Sequence, residues 1–316
     1  MARKVGIIGA GLIGRAWAIT FARGGYDVAM FDTEVASLKT SLETLGNLLI
    51  DLEKGGLLLN QTAATVRKRI VPVRTIQEAV ADANHVQENT PETLEGKKAI
   101  FAKLDAVAAP DTVLASSSSA IGASLFTEEL KGRGRCLVAH PINPPYLIPA
   151  VELVPSPWTE PGTIERTRAM MVRLGQAPMV MGREIEGFIM NRLQTALLQE
   201  AFRLVEGGYA SVEDIDVGIR KGIGLRWAFM GPFETIDLNA PAGVTDYVAR
   251  YEAALRSIAL SQKEPPVWAG PLASRVESER RQRLPKEELA NRQRWRDRRL
   301  MSLLRHLALA DKEIGT

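Results

Sequence analysis

Residues 5–14, Val5-Gly6-Ile7-Ile8-Gly9-Ala10-Gly11-Leu12-Ile13-Gly14, leave the chain few ways to fold. Val5 to Ile8 carry no polar side chain, the pattern of a short strand buried on both faces. They run directly into a complete G-x-G-x-x-G. Gly9 permits a tight turn, Gly11 lets a pyrophosphate approach the backbone, and Gly14 lets the following helix pack against the strand, with phosphate charge at the helix N-terminus. Ile13, Trp17 and Phe21 recur at helical spacing until Gly24-Gly25 closes the run. A second apolar stretch, Asp27 to Phe31, ends at Asp32, 18 positions past the last glycine. Alone, the glycine pattern is common. Between a strand and a helix, with an acidic residue at that distance, it describes a dinucleotide site in which Asp32 takes the adenosine ribose hydroxyls. No arginine follows Asp32, which favours NAD over NADP.

The next segment departs from a simple β-α-β unit. Leu38, Leu42, Leu45, Leu48, Leu49 and Leu52 recur at three and four, Gly55-Gly56 breaks the run, and a second amphipathic piece covers 63–70. The spacing predicts a helical hairpin inserted after the second strand. Short strands are expected at 71–73, 85–88, 112–115, 136–139, 151–154 and 179–181, with helices over 76–81, 94–107, 120–130 and 164–174. His85 reads as a surface or strand-end residue without a chemical role. After Gly182 the strand signals stop. Phe188, Leu193, Leu197, Ala201, Leu204 and Val205 line one face of a long helix that ends at Gly207-Gly208. The chain therefore reads as α/β: a Rossmann-type, doubly wound, mostly parallel sheet with an inserted helical hairpin over residues 1–185, followed by a smaller all-α domain over 186–316.

Composition removes several function classes. At 316 residues and 46% hydrophobic content, the chain is large enough for two cores. Cys136 is the only cysteine, so no intrachain disulfide or cysteine metal site is expected, and three histidines are too few for a multi-histidine metal centre. The net charge of +3 on 40 basic and 37 acidic residues gives no reason to expect nucleic acid. The Arg-rich stretch 275–305 is interleaved with Glu277, Glu279, Glu287, Glu288 and Asp297, the texture of a solvated or subunit-facing surface. The apolar run after Met1-Ala2-Arg3-Lys4 is too short for a signal peptide, and no run approaches a membrane span, so a cytoplasmic protein with no membrane partner is expected.

Candidate chemistry gathers around His140-Pro141-Ile142-Asn143-Pro144-Pro145-Tyr146. His140 succeeds the apolar run 136–139, which places it at the C-terminal end of a buried strand, and three prolines stiffen the loop beyond it. Glu152 lies inside another apolar strand, where a lone carboxylate needs a partner. The two together suggest an oriented base; the alternative is a buried structural histidine. Ser116 to Ser119 end a strand, where hydroxyls either cap the next helix or line the ligand-binding edge. Glu92 and Lys97 near the start of a helix are either solvated first-turn charges or ligand contacts. Arg226, among apolar and aromatic residues, fits a bidentate clamp on a substrate carboxylate or a structural ion pair.

The stretches VGIIGAGLIGRAWA, QENTPETLEGKKAIF, AHPINPPYLIPAVELVP, GFIMNRLQ and GPFET resemble the 3-hydroxyacyl-CoA dehydrogenase family over nearly the whole chain. The HPINPPYLIP form and the RQRWRD tail are similar to its λ-crystallin/L-gulonate 3-dehydrogenase branch in particular. The resemblance implies NAD as cofactor, His140 as catalytic base, Glu152 as its orienting carboxylate, Ser119 as the substrate-binding serine and Asn191 as the active-site asparagine. It further implies cofactor contacts at Leu12, Ile13, Asp32, Glu92 and Lys97, and a homodimer formed through a C-terminal substrate and dimerisation domain. Family members often carry Asn-Thr-Ser in the serine loop where this chain has four serines, so Ser119 is singled out by its spacing to His140. The implied reaction is oxidation of the C3 hydroxyl of a small L-3-hydroxy acid. A CoA thioester substrate is the alternative, and a non-catalytic, structural or NAD-sensing role is a third class, opposed by the intact set of Ser119, His140, Glu152 and Asn191.

Overall fold

The computed structural model describes residues 3–315. Each short apolar run becomes a strand: β1 (Lys4–Ile8), β2 (Asp27–Phe31), β3 (Ile70–Pro72), β4 (His85–Glu88), β5 (Val113–Ser116), β6 (Cys136–Pro141), β7 (Ala150–Pro155) and β8 (Ala177–Val180). They form one sheet in the order β3-β2-β1-β4-β5-β6-β7-β8. All neighbours pair in parallel except β6 and β7, which run antiparallel. The chain winds outward from β1 through β2 to β3, then returns beside β1 as β4. That reversal opens a crevice above the C-terminal ends of β1 and β4, where open α/β sheets bind ligands.

The sheet is covered on both faces by α1 (Leu12–Arg23), α2 (Val35–Lys54), α3 (Ala63–Lys68), α4 (Ile76–Val80), α5 (Leu94–Val107), the single turn α6 (Ser124–Thr127) and α7 (Pro161–Arg173). Strand side chains alternate between the faces. Leu137 and Ala139 of β6 join Trp17, Phe21, Leu49 and Met171 in one core. Cys136 and Val138 join Phe101, Leu104, Phe126 and Phe188 in the other. The parity continues into His140, which shares the face of Val138.

Further on come α8 (Met190–Glu206), α9 (Val212–Gly218), α10 (Gly224–Arg226), α11 (Pro232–Asp237), α12 (Gly243–Ser261), α13 (Pro271–Arg283) and α14 (Leu289–Glu313). The chain divides into two units. One comprises everything through Asn191 together with the stretch from Asp297 onward; the other spans Arg192–Arg296. In the second unit Phe202 stacks on Trp268 with ring centroids 5.1 Å apart, and α12 buries no residue. Among the described residues, no helix is long and apolar enough to cross a membrane.

Three expectations need correction. Residues 186–316 do not form a single compact unit, because the stretch from Asp297 onward belongs to the first unit: Met301 of α14 is buried in the same core as Leu45, Leu49 and Leu52 of α2, and Leu300 and Leu304 pack against that core. The helix expected over 120–130 shrinks to α6. A side chain takes an amide the longer helix would use: Ser124 N, which would otherwise donate to the Ala120 carbonyl, donates to Glu184 Oε1. His85 is at a strand end, where it opens β4, but not at the surface: it is buried, with Nε2 2.9 Å from Gln87 Oε1, and burial pushes its imidazole down to about 4 against the raising effect of that bond.

Candidate active site

The antiparallel register of β6 and β7 sets His140 opposite Glu152. Nδ1 of His140 lies 2.5 Å from Glu152 Oε2, and both residues are buried. The other carboxylate oxygen, Oε1, accepts from the backbone amides of Ile189 (2.6 Å) and Met190 (2.9 Å), the start of α8. Helix-start amides have no partner within the helix, so a carboxylate there satisfies donors and meets the positive end of the helix dipole. Burial favours protonation of Glu152, but the bonds from His140, Met190 and Ile189 outweigh it and hold the carboxyl below its usual range. The chain reaches these amides through Gly187 (φ 75°) and Phe188 (φ 51°). A left-handed phenylalanine is strained. Its buried ring lies 5.8 Å from that of His140.

One residue into α8, Asn191 donates Nδ2 to the carbonyl oxygen of Ser119 at 2.7 Å. The serine loop is in turn gripped by Glu92. Oε1 accepts from Ser118 Oγ (2.7 Å), Ser119 N (2.7 Å) and Ala120 N (2.8 Å), and Oε2 from Ser119 Oγ (2.6 Å). Partial burial raises the Glu92 carboxyl, yet the hydrogen bonds from Ser119, Ser118 and Ala120 bring it down to about 2. Glu92, Ser119, Asn191, Glu152 and His140 thus form one connected set, brought together from residues 92–191. Ser118, which spacing alone ranks behind Ser119, shares the Glu92 contact; the unbroken serine run is its only signal in the sequence.

The glycine turn has the shape a dinucleotide requires. Gly9 has φ 91°, and a Cβ there would collide with the Asn89 carbonyl. A Cβ on Gly14 would overlap the Gly9 carbonyl oxygen, whereas one on Gly11 would project into open space. The room a pyrophosphate needs lies on the side where Gly11 is bare. Leu12 is exposed and Ile13 partly buried at the start of α1. Asp32 accepts from Ala10 N (2.6 Å) and Glu34 N (2.9 Å), which fixes it at the end of β2 beside the turn and leaves a lone pair on each oxygen. These residues fit NAD.

Two predicted positions are placed otherwise. Lys97 is buried and gives its three donors to Glu88 Oε1 (2.8 Å), Glu88 Oε2 (2.9 Å) and Thr90 O (3.1 Å), leaving none for a cofactor. Glu88 also accepts from Ser116 Oγ (2.7 Å) and Thr90 N (2.6 Å). Sequence reasoning missed Glu88: β4 reads His-Val-Gln-Glu, so its carboxylate does not stand out among apolar neighbours as Glu152 does in Ala-Val-Glu-Leu-Val-Pro. Arg226 is exposed in the second unit and forms no ion pair among the described residues. No cluster of three or more metal-ligating side chains occurs among the described residues.

Comparison with known proteins bears on this geometry. The family described as "3-hydroxyacyl-CoA dehydrogenase, NAD binding domain" matches residues 4–185, and "3-hydroxyacyl-CoA dehydrogenase, C-terminal domain" matches 187–267. The human lambda-crystallin homolog is 41% identical over 300 residues, covering 94% of each chain. The L-carnitine dehydrogenase of a Pseudomonas species is 34% identical over 309 residues, covering 98% of this chain and 95% of that protein. The solved structure of 5-formyl-3-hydroxy-2-methylpyridine 4-carboxylic acid 5-dehydrogenase, an NAD+-dependent dismutase, superposes with a TM-score of 0.83 at 26% identity, covering 98% and 99% of the two chains.

The Glu92 contacts make a pH-dependent prediction. A carboxyl held at about 2 rather than the usual 4.5 contributes stability that is complete above about pH 5 and lost as pH falls toward 2. The urea midpoint of Glu92→Gln should lie furthest below wild type above about pH 5, and the gap should close on acidification. A gap that stays constant down to about pH 3 contradicts the assignment.

Proposed function

The chain belongs to the 3-hydroxyacyl-CoA dehydrogenase family and is an NAD-dependent hydroxyacid dehydrogenase, and from that premise we propose that it oxidises the C3 hydroxyl of a small L-3-hydroxy acid, as an L-gulonate 3-dehydrogenase does, with His140 as general base. The observation that carries the reading is the buried His140–Glu152 pair, with Glu152 fastened to the start of α8. An ionised Glu152 keeps a proton on Nδ1, so the lone pair of His140 is at Nε2, which has no partner among the described residues. Nε2 takes the C3 hydroxyl proton, and Glu152 stabilises the imidazolium that results. Ser119 and Asn191 hold the substrate oxygen within reach of that nitrogen, Asn191 with the second hydrogen of Nδ2 and Ser119 by turning its hydroxyl from Glu92 Oε2 to the substrate. NAD, when bound, accepts the hydride from C3, leaving a ketone.

The glycine turn and the start of α1, with Leu12 and Ile13, are the proposed pyrophosphate seat, and Asp32 the ribose contact. Glu92 is proposed at the border between cofactor and substrate. Lys97 serves cofactor binding indirectly, by neutralising Glu88 and holding Thr90 so that Glu92 is presented to the serine loop. The similarity to L-carnitine dehydrogenases supports a free acid, since L-carnitine is itself a 3-hydroxy acid and not a thioester. The alternative, a CoA thioester, has the family's name in its favour. Arg226, free of ion pairs among the described residues, is proposed as the partner of the substrate carboxylate.

The proposed partner is a second copy of this chain. On α12, Val244, Val248, Tyr251, Leu255 and Ile258 are all exposed, and they recur at four-three-four-three spacing, the seam of a paired helix. A cytoplasmic location is part of the same proposal, consistent with Cys136 being free and buried.

His140→Gln should lower turnover by about 10²–10⁴-fold with NADH affinity within about twofold of wild type; near-normal turnover refutes the base. NADH absorbance assays against gulonate, 3-hydroxybutyrate, carnitine and 3-hydroxybutyryl-CoA should give the highest kcat/KM on a free acid, and preference for the thioester overturns the substrate class. Arg226→Met should raise KM for the free acid alone, and equal losses on both classes exclude the clamp. By light scattering the wild type should have twice the chain mass and Leu255→Glu should dissociate; a monomeric wild type removes the partner proposal.

A further inference from the structure

Ser117 is the one member of the serine run whose hydroxyl meets neither Glu88 nor Glu92. It directly succeeds β5, and its hydroxyl stands at a three-way junction. Oγ accepts from Trp17 Nε1 (3.1 Å) and Gln87 Nε2 (2.7 Å) and donates to Asn89 Oδ1 (2.8 Å). A hydroxyl has one donor and two acceptor sites, so its capacity is full.

The three partners belong to different parts of the site. Trp17 lies on α1, the helix that leaves the glycine turn. Gln87 also donates to the carbonyl oxygen of Ala139, the residue before His140, at 3.1 Å. Asn89 forms the floor of the glycine turn: its backbone carbonyl is what a Cβ on Gly9 would strike, and its Nδ2 would lie 3.4 Å from a Cβ on Gly14. With Oδ1 held by Ser117, the Asn89 amide turns Nδ2 toward the carbonyl oxygens of Gln87 (2.8 Å) and Ile8 (3.3 Å), the latter on the strand that feeds the turn. The Ser117 hydroxyl is the donor that tells the two ends of this amide apart, because only Oδ1 can accept from it. Ser117 itself is continuous with Ser118 and Ser119.

We infer that Ser117 is a positioning residue: through Asn89 its hydroxyl sets the glycine turn that receives NAD, and through the chain it holds that turn in register with the loop bearing Ser119. The half that concerns the cofactor stands on NAD dependence alone; the half that concerns Ser119 rests on the function proposed above.

Ser117→Ala removes all three bonds, and Ser117→Cys keeps a side-chain atom at the junction as a weaker donor and acceptor, so the second variant carries the test should the first not fold. NADH affinity, read by fluorescence titration in a variant shown folded by circular dichroism and thermal melting, should weaken about fivefold to twentyfold. The substrate KM should rise with it, while the pH dependence of kcat, set by the His140–Glu152 pair, keeps the wild-type midpoint. A folded variant that binds NADH within about twofold of wild type overturns the inference. A wild-type enzyme whose kcat shows no dependence on a single base would count against the function of His140, and the NADH titration would still decide the role of Ser117.

Discussion

The carboxylate of Glu152 is the constraint on which the site depends. It is fully buried in an apolar strand, a placement that is unfavourable unless its charge is matched. Both matches are structural features of the fold. One oxygen meets the imidazole of the neighbouring antiparallel strand, and the other meets two amides at the start of a helix. A single side chain therefore orients His140 and fixes where α8 begins. Since Asn191 is one residue into that helix and bonds the backbone of Ser119, the position of the serine loop depends on the same anchor.

A second buried carboxylate has a parallel role on another strand of the sheet. Glu88 ends β4 and is neutralised by Lys97, and the Thr90 loop wrapped around that ion pair presents Glu92 to the serines. Removing one partner of such a buried pair leaves an uncompensated charge, at a cost of about 3–5 kcal/mol. The polar edge of the sheet is thus not a set of independent residues. Two carboxylates on buried strands hold the loops, and the exposed Glu92 connects one loop to the other.

Much of this is legible in the sequence because the signals are local. The glycine turn, its flanking strands and Asp32 can be read from spacing alone, and the continuous apolar runs of β6 and β7 mark His140 and Glu152 as buried polar residues in need of partners. Periodicity does not carry register. That β7 turns back antiparallel, so that residue 140 faces residue 152, depends on the proline-rich loop between them, and strand patterns look alike in either direction. Lys97 is easily misread because a long cationic side chain at a helix start is usually solvated, and only its three partners show it facing inward. The return of α14 to the first core is hidden for a similar reason: Met301 lies in a stretch dominated by arginine, and its burial depends on the distant leucine face of α2.

The central claim is that the Glu152 carboxylate keeps the proton of His140 on Nδ1 and leaves Nε2 free to act. Nitrogen-15 NMR of the imidazole rings tests it directly, because the chain has only three histidines and a His140→Gln spectrum identifies the signal. At about pH 8, where an ordinary imidazole is neutral, His140 should report a protonated Nδ1 and a bare Nε2, and Glu152→Gln should shift the population toward the Nε2–H form. A wild-type ring protonated at Nε2, or a tautomer indifferent to residue 152, would contradict the account.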